Sequence, residues 1–472
     1  MGFTAQTFLF IFLPLSIVAY LLCTRLHRPL LNNILLALMS LAFYVFCGLH
    51  ALVVFLGLIV FVYLMGVLIG YARQAAGEKT SRRWMALGAA ALVALLFLCK
   101  YLTFLLDTLS ALLPLELSFD GLIVPAGLSF IVFESISYLV DISRGLATPG
   151  SPLDAFVFLS LFPKVISGPI VLWRDFQPQL AQRPEPDADD AAEGLRRIII
   201  GYSKKAILAD TFGAQIARID GVLLASGVDT PTMWLRALLY FFQLYYDFSG
   251  YSDIAIGLCR VFGFSIKENF NFPYISTSIT EFWRRWHISL GSWFREYVYF
   301  PLGGNRRGNV YLNLFVVFLL TGIWHGANWT FLLWGVINGV FVVAERYVRN
   351  KKWYQRIPSV VKWAFTMVVV YFVWIMFMAS DVSDAFSTYA ALFAASPAVN
   401  FTWRYFLTRK LAVLLVIAAL GSVAGALPMS EERRKRLLAP APWKLAVYLV
   451  LFAVSVLFVV NSSYSPFLYF QF

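Results

Sequence analysis

Charge is what this sequence has least of. Only 14% of its 472 residues are Asp, Glu, Lys or Arg, against about a quarter in soluble domains. Hydrophobic side chains make up 60%, and the mean hydropathy is +0.73. Several apolar runs approach the ~20 residues that a membrane-spanning helix needs: 7–23, 51–71, 85–106, 363–378, 411–427 and 445–460. That many runs exclude a soluble globular fold. Cysteine is scarce too. Cys23, Cys47, Cys99 and Cys259 lie in or beside apolar segments without paired spacing, which excludes a disulfide framework or a zinc site and fits small buried thiols. No Gly-Lys-Ser/Thr closes a phosphate loop, and no internal repeat of the transporter kind is visible. Neither a metal nor a bound cofactor is expected. No basic segment precedes 7–23, so it reads as a retained span and not a cleaved signal.

The net charge of +12 does not indicate nucleic acid, because its placement is wrong. The basic residues sit in short loops beside the apolar runs: Arg25 and Arg28; Arg73, Lys79, Arg82 and Arg83; Arg346 to Lys352; Arg433 to Arg436. This is the pattern of cytoplasmic loops. It gives an extracytoplasmic N-terminus and an acidic outer loop at Asp107, Glu116 and Asp120. The run 156–172 is interrupted by Pro163, Gly168 and Pro169, which suits a broken or re-entrant segment. Residues 183–193 read as a solvated linker, and 233–248 resemble a span. In 279–298 the apolar residues Ile279, Phe282, Trp283, Trp286, Leu290, Trp293, Phe294 and Tyr297 recur at helical spacing. They predict one amphipathic helix at the membrane surface. The expected fold is all-α: a single membrane-embedded domain over 1–472, with roughly 11–13 membrane-embedded helices.

Only four histidines occur, His27, His50, His287 and His325. The first two read as solvated loop residues. His325 stands between Trp324 and Gly326 at a break between two apolar runs, with Asn328 close behind. An ionisable residue at membrane depth points to function, and a neutral imidazole there can take a proton from a hydroxyl. A histidine bonded to a carbonyl freed by the break fits the same position. His287, beside Arg284, is either functional or an interfacial packing residue. Between the two runs Gly303-Gly-Asn-Arg-Arg-Gly308, whose Gly303, Gly304, Arg306 and Arg307 could meet a donor phosphate or act only as a topology signal. Asp247 and Asp253 lie in an aromatic, apolar stretch. They call for cationic partners, which the Arg-rich 279–298 helix, Arg295 included, would supply.

These stretches together resemble the membrane-bound O-acyltransferase family, in its alginate O-acetyltransferase-like branch. The resemblance runs through Phe8-Leu-Phe-Ile-Phe-Leu-Pro14, Val124-Pro-Ala-Gly-Leu-Ser-Phe130, Tyr138-Leu-Val-Asp-Ile-Ser-Arg144 and Phe162-Pro-Lys-Val-Ile-Ser-Gly-Pro169. It continues through 245–253, Asn269-Phe-Asn-Phe-Pro-Tyr274 and Phe282-Trp-Arg-Arg-Trp-His-Ile-Ser-Leu290 to Arg295-Glu-Tyr-Val-Tyr-Phe-Pro-Leu-Gly-Gly-Asn-Arg306 and Gly322-Ile-Trp-His-Gly-Ala327. It places the catalytic motif region at 245–345. His325 matches the family's nearly universal histidine, and His287 and Asn305 match other motif positions. Glu296 stands where the branch usually has Asp, and Asn338 where it often has His.

The resemblance implies acetyl transfer from a cytoplasmic donor, acetyl-CoA as co-substrate, towards hydroxyls of an exported polysaccharide at a bacterial inner membrane. His325 would be the general base, with Asn305 steadying the acceptor or oxyanion and Asp247, Asp253, Trp324 and Arg295 in support. No cysteine sits in a motif to carry an acyl thioester. Periplasmic acetyltransferase partners and a polysaccharide synthase complex would complete the system. Teichoic acid, peptidoglycan or lipid acceptors, or a transporter, are the rival readings. The topology is directly testable. Cysteines introduced at 73–83, 346–352 and 433–436 should react with membrane-impermeant thiol reagents only after the cytoplasmic face is opened, and two of the three reacting from outside would reverse the orientation.

Overall fold

The computed structural model describes residues 2–113, 122, 124–182, 187–396, 399–426, 441–461 and 467–468. Glu116 and Asp120 of the expected acidic loop, the start of the expected linker at 183–186, and the basic loop at Arg433 to Arg436 lie outside them. No strand occurs among the described residues. Six helices are long and apolar enough to cross a membrane, and the shorter apolar helices cover 8–24, 29–45 and 310–325. The protein is an all-α, multi-pass membrane protein. Its chain falls into two compact units: residues 1–198, 252–267 and 469–471, and residues 199–251, 268–468 and 472.

In the first unit a π turn, Phe8–Phe12, leads into α1 (Leu13–Thr24), followed by α2 (Pro29–Val45), α3 (Leu49–Ala76) and α4 (Glu78–Lys100). The apolar run 85–106 is split at Tyr101, so α5 (Leu102–Leu112) is a separate helix. Then come α6 (Leu128–Arg144), α7 (Pro152–Ser160), α8 (Trp173–Gln182) and, up to residue 198, α9 (Ala188–Tyr202). The linker expected over 183–193 is shorter than its composition suggests. Its acidic residues Asp189 and Asp190 form the first turn of α9, where they oppose the positive end of the helix dipole.

The interrupted run does break. After α7 the chain is non-helical and buried from 161 to 172, which hydrocarbon permits only where protein supplies the backbone partners. Here the Phe162 amide donates to Ser40 Oγ (3.1 Å) and the Val171 amide to Glu134 Oε1 (3.2 Å). Glu134 also pairs with the buried ammonium of Lys164. Gly127, at φ +77°, passes so close beneath this segment that a Cβ would lie 2.2 Å from the Val165 carbonyl oxygen.

The second unit contains a π turn at Ser203–Ala209, then α10 (Asp210–Ser226) and α11 (Thr230–Val261) up to residue 251. It continues with α12 (Ile279–Arg285), α13 (Ile288–Phe294), α14 (Val310–His325), α15 (Trp329–Val348), α16 (Lys352–Gln355) and α17 (Ser359–Met378). Helices α18 (Val382–Phe393), α19 (Trp403–Phe406), α20 (Arg409–Val423) and α21 (Pro442–Asn461) close it.

Two features of this unit set up the site. First, the amphipathic stretch 279–298 is not one helix. It bends between α12 and α13 at His287, whose backbone is left-handed (φ +44°), so residues expected on one face point in different directions. Second, α14 and α15 form a tight hairpin. Gly322 and Gly335 face each other, and a Cβ on Gly322 would lie 2.5 Å from the Phe331 carbonyl oxygen and 2.9 Å from Gly335 Cα. Small residues let helices approach closely where no water drives them together. Asn309 caps α14, and Asn328 caps α15 by accepting from the Thr330 amide (3.0 Å). Gly322→Val should therefore force the hairpin apart at an overpacking cost of ~1–3 kcal/mol. The measurable result is a lower unfolding midpoint in detergent with acyl transfer impaired, whereas the same change at Gly221, where an added Cβ meets nothing within 4 Å, should leave both nearly unchanged.

Candidate active site

His325 is the last residue of α14 and is 5% exposed. Its ring sits in a box of aromatic side chains, all packed edge-on: Trp324 at 4.9 Å between centroids, Trp334 at 5.0 Å and Phe377 at 5.1 Å. Such packing fixes the imidazole plane and withholds bulk water from it. Trp334 comes from α15 and Phe377 from α17, so three helices orient one histidine. The box has its own brace. Trp283 packs edge-on against Trp334 (5.3 Å) and donates its indole N–H to Asn338 Oδ1 (3.2 Å). Asn338 in turn donates to the Trp334 carbonyl (2.8 Å), so this amide, a departure from the branch that the sequence resembles, ties two tryptophans together.

His287 is 3% exposed and held by Asn269. Asn269 Oδ1 lies 3.0 Å from His287 Nδ1 and accepts from the Ser289 amide (3.2 Å) and hydroxyl (2.9 Å). The Asn269 carbonyl accepts from the Ile288 amide (2.9 Å). These bonds stabilise the left-handed bend. With an acceptor oxygen opposite Nδ1, that nitrogen carries the proton and Nε2 carries the lone pair. Burial pushes the His287 pKa down to about 3, because a charged ring there would be stripped of water. The ring is also packed edge-on by Phe248 at 4.6 Å and lies 6.3 Å from Trp324.

Both histidines line one cavity of about 600 Å³. Thr321, one turn before His325 on α14, shares the wall, as do Asn305 and Arg284, Arg295, Arg346 and Arg349. Arg284, Arg295, Arg349 and Asn305 are exposed and Arg346 is half-buried, so the cavity passes from cations at its mouth to buried imidazoles at its depth. Asn305 Oδ1 accepts from Tyr299 Oη (2.8 Å) and Arg346 Nη2 (3.1 Å). No carboxylate among the described residues forms an ion pair with any of the four arginines.

The glycine-arginine loop behaves differently from its sequence reading. Gly303, Gly304, Arg306 and Arg307 are not among the lining residues. The amides of Gly303, Gly304, Arg306 and Arg307 donate to carbonyls of Phe300, Tyr299, Gly303 and Gly303, and Asn313 Nδ2 holds the Gly304 carbonyl (3.1 Å). Those amides are already committed, so the loop has arginine charge to offer a phosphate but not an amide cradle.

The carboxylates also find other partners than expected. Asp247 pairs with Lys205 Nζ (2.6 Å) and accepts from the Leu468 amide (2.7 Å). Asp253, in the first unit, pairs with Arg197 (2.9 Å). Asp247 does not line the cavity. Sequence reasoning missed the Asn269 clamp, the Trp334–Phe377 box and the place of Arg346 and Arg349 in the cavity wall. A signal was present for the arginines: they lie on the last turn of the helix that follows the break, two positions that a topology reading absorbed whole. Among the described residues no group of His, Cys, Asp or Glu could hold a metal.

A polytopic all-α membrane protein that aims a fixed, buried histidine into a cation-mouthed cavity has the form of a membrane-embedded transferase. The chain belongs to the membrane-bound O-acyltransferase family, whose model matches residues 143–389, and it is an O-acyltransferase. It is 39% identical to a "Probable alginate O-acetylase AlgI" of Pseudomonas putida, with 100% of both chains covered. A Helicobacter pylori "Peptidoglycan O-acetyltransferase" is 34% identical over 81% of this chain and 78% of that one. A Bacillus subtilis "Teichoic acid D-alanyltransferase" is 30% identical over 52% of this chain and 64% of that one.

The His287 geometry has a pH consequence. A histidine whose folded pKa lies below its unfolded value binds a proton only on unfolding, so its neutral form stabilises the fold above pH ~6.5 and that contribution is lost as pH falls towards 3. Wild-type protein should therefore lose thermal stability from pH 7 to pH 4.5 more steeply than His287→Gln, which cannot titrate. Parallel slopes for the two proteins would rule out a buried neutral His287.

Proposed function

We propose that this protein transfers an acetyl group from acetyl-CoA, supplied at the cytoplasmic face, towards hydroxyls of an exported polysaccharide in a bacterial inner membrane. The observation that carries the reading is the cavity in which an aromatic-boxed His325 lies beyond a rim of arginines that have no acid partner among the described residues. The full-length similarity to probable alginate O-acetylases supports a polysaccharide acceptor. In the proposed step His325 takes the hydroxyl proton as the acceptor oxygen bonds to the thioester carbonyl carbon. The C–S bond then breaks, and the histidine returns its proton to the departing thiolate. Asn305 and Thr321 line the cavity and would orient the reacting groups, His287 lines it as well, and Trp324, as part of the box, would hold the His325 ring. Arg284, Arg295, Arg346 and Arg349 suit the phosphates of the donor better than Arg306 and Arg307, which lie outside the wall. Periplasmic acetyltransferases would carry the group on to the polymer.

Two measurements test this. His325→Ala should lower acetyl transfer by about two to four orders of magnitude, the usual worth of a general base, while the protein stays monodisperse in detergent. Retention of most of the activity would refute the mechanism, and loss accompanied by aggregation would make the histidine structural. Arg346→Gln with Arg349→Gln should raise the donor Michaelis constant more than it lowers turnover, and more than Arg306→Gln with Arg307→Gln does. The opposite ranking would return the donor to the 303–308 loop.

A further inference from the structure

The second unit holds another cavity, of about 580 Å³, formed between α10, α20 and α21. It shares no residue with the candidate active site. We propose that it binds the headgroup of an anionic phospholipid.

The charge at its rim asks for an anion. The Arg218 guanidinium lies 4.5 Å over the Tyr405 ring and Lys410 Nζ 4.7 Å over the Phe458 ring, which holds both cations in place while leaving their N–H groups to a ligand. Neither forms an ion pair with a carboxylate among the described residues. The acid in the lining, Asp210, is 2.6 Å from the buried ammonium of Lys205, which Asp247 shares at the same distance. Its charge is thus directed inwards, away from the exposed Arg218 and Lys410.

The shape selects a lipid. Lys410 is in the first turn of α20, and Asn461 is the last residue of α21. Both helices belong to segments apolar and long enough to cross a membrane, so their shared end lies where hydrocarbon meets headgroups. Beside the cations the lining includes the apolar Ala214, Leu411, Leu457 and Phe458, which would receive an acyl chain. Basic pockets between membrane helices bind anionic headgroups by this division of labour.

The test uses full-length protein in a neutral detergent, with phosphatidylglycerol, phosphatidylcholine and an oligouronate as separate probes. Phosphatidylglycerol should raise the thermal midpoint of the wild type, and phosphatidylcholine should not. In Arg218→Gln/Lys410→Gln the apparent affinity for phosphatidylglycerol should fall about tenfold, the change carried by a single charge-assisted hydrogen bond. Arg218→Lys/Lys410→Arg, which keeps both charges, should restore most of it and shows that the Gln pair is not simply misfolded. Equal affinities in the wild type and the Gln pair would overturn the proposal. So would an equal response to phosphatidylcholine, or a response to the oligouronate alone.

Discussion

The close approach of Gly322 and Gly335 is the contact on which the active-site geometry rests. Helices in hydrocarbon gain little from burying apolar surface against one another, so their packing depends on shape and short backbone separations. With hydrogen on both α-carbons, α14 and α15 come together along a narrow seam, and His325 at the end of α14 is carried against Trp334 of α15. The break between the helices would otherwise expose polar backbone at membrane depth. Asn328 prevents this by accepting from Thr330 and donating to the Ser380 carbonyl (2.7 Å). One pair of glycines and one asparagine therefore place a histidine in an apolar setting and bond the backbone across the break.

The site then separates charge from basicity. Four arginines stand at the mouth, where solvent supports them, and the two imidazoles lie among rings where a positive charge would be costly. Asn305 helps hold the mouth, accepting from Tyr299 and from Arg346. Asn269 performs the corresponding task for His287, and does so through backbone and side chain together, which is why a non-glycine residue tolerates a left-handed conformation there. Elsewhere buried ammonium–carboxylate groups, Lys164 with Glu134 in one unit and Lys205 with Asp210 and Asp247 in the other, anchor the segments where helices are broken or widened into π turns. Such groups tie down irregular backbone, and removing one partner of such a group would leave an uncompensated charge.

Much of this was open to a reader of the sequence because hydrocarbon imposes simple local rules. Apolar runs of sufficient length become spanning helices, Pro163 and Gly168 with Pro169 interrupt one, and a histidine between Trp324 and Gly326 at a break commands attention. The helical class, the multi-pass character, the family and the break at His325 follow from those patterns. What the local patterns could not carry was the identity of partners. Asp247 and Asp253 needed cations, but only packing decided that Lys205 and Arg197 would supply them, because the nearest arginines in sequence are not the nearest in space. The bend at His287 depends on Asn269, 18 positions away, and overrides a helical periodicity that continues unbroken through the sequence. The same holds for the cavity wall, where Arg346 and Arg349 fulfil a topological rule and line the site as well. Periodicity is a property of neighbouring residues, while a hydrogen bond or a ring contact between distant segments exists only once the chain has chosen which faces to press together.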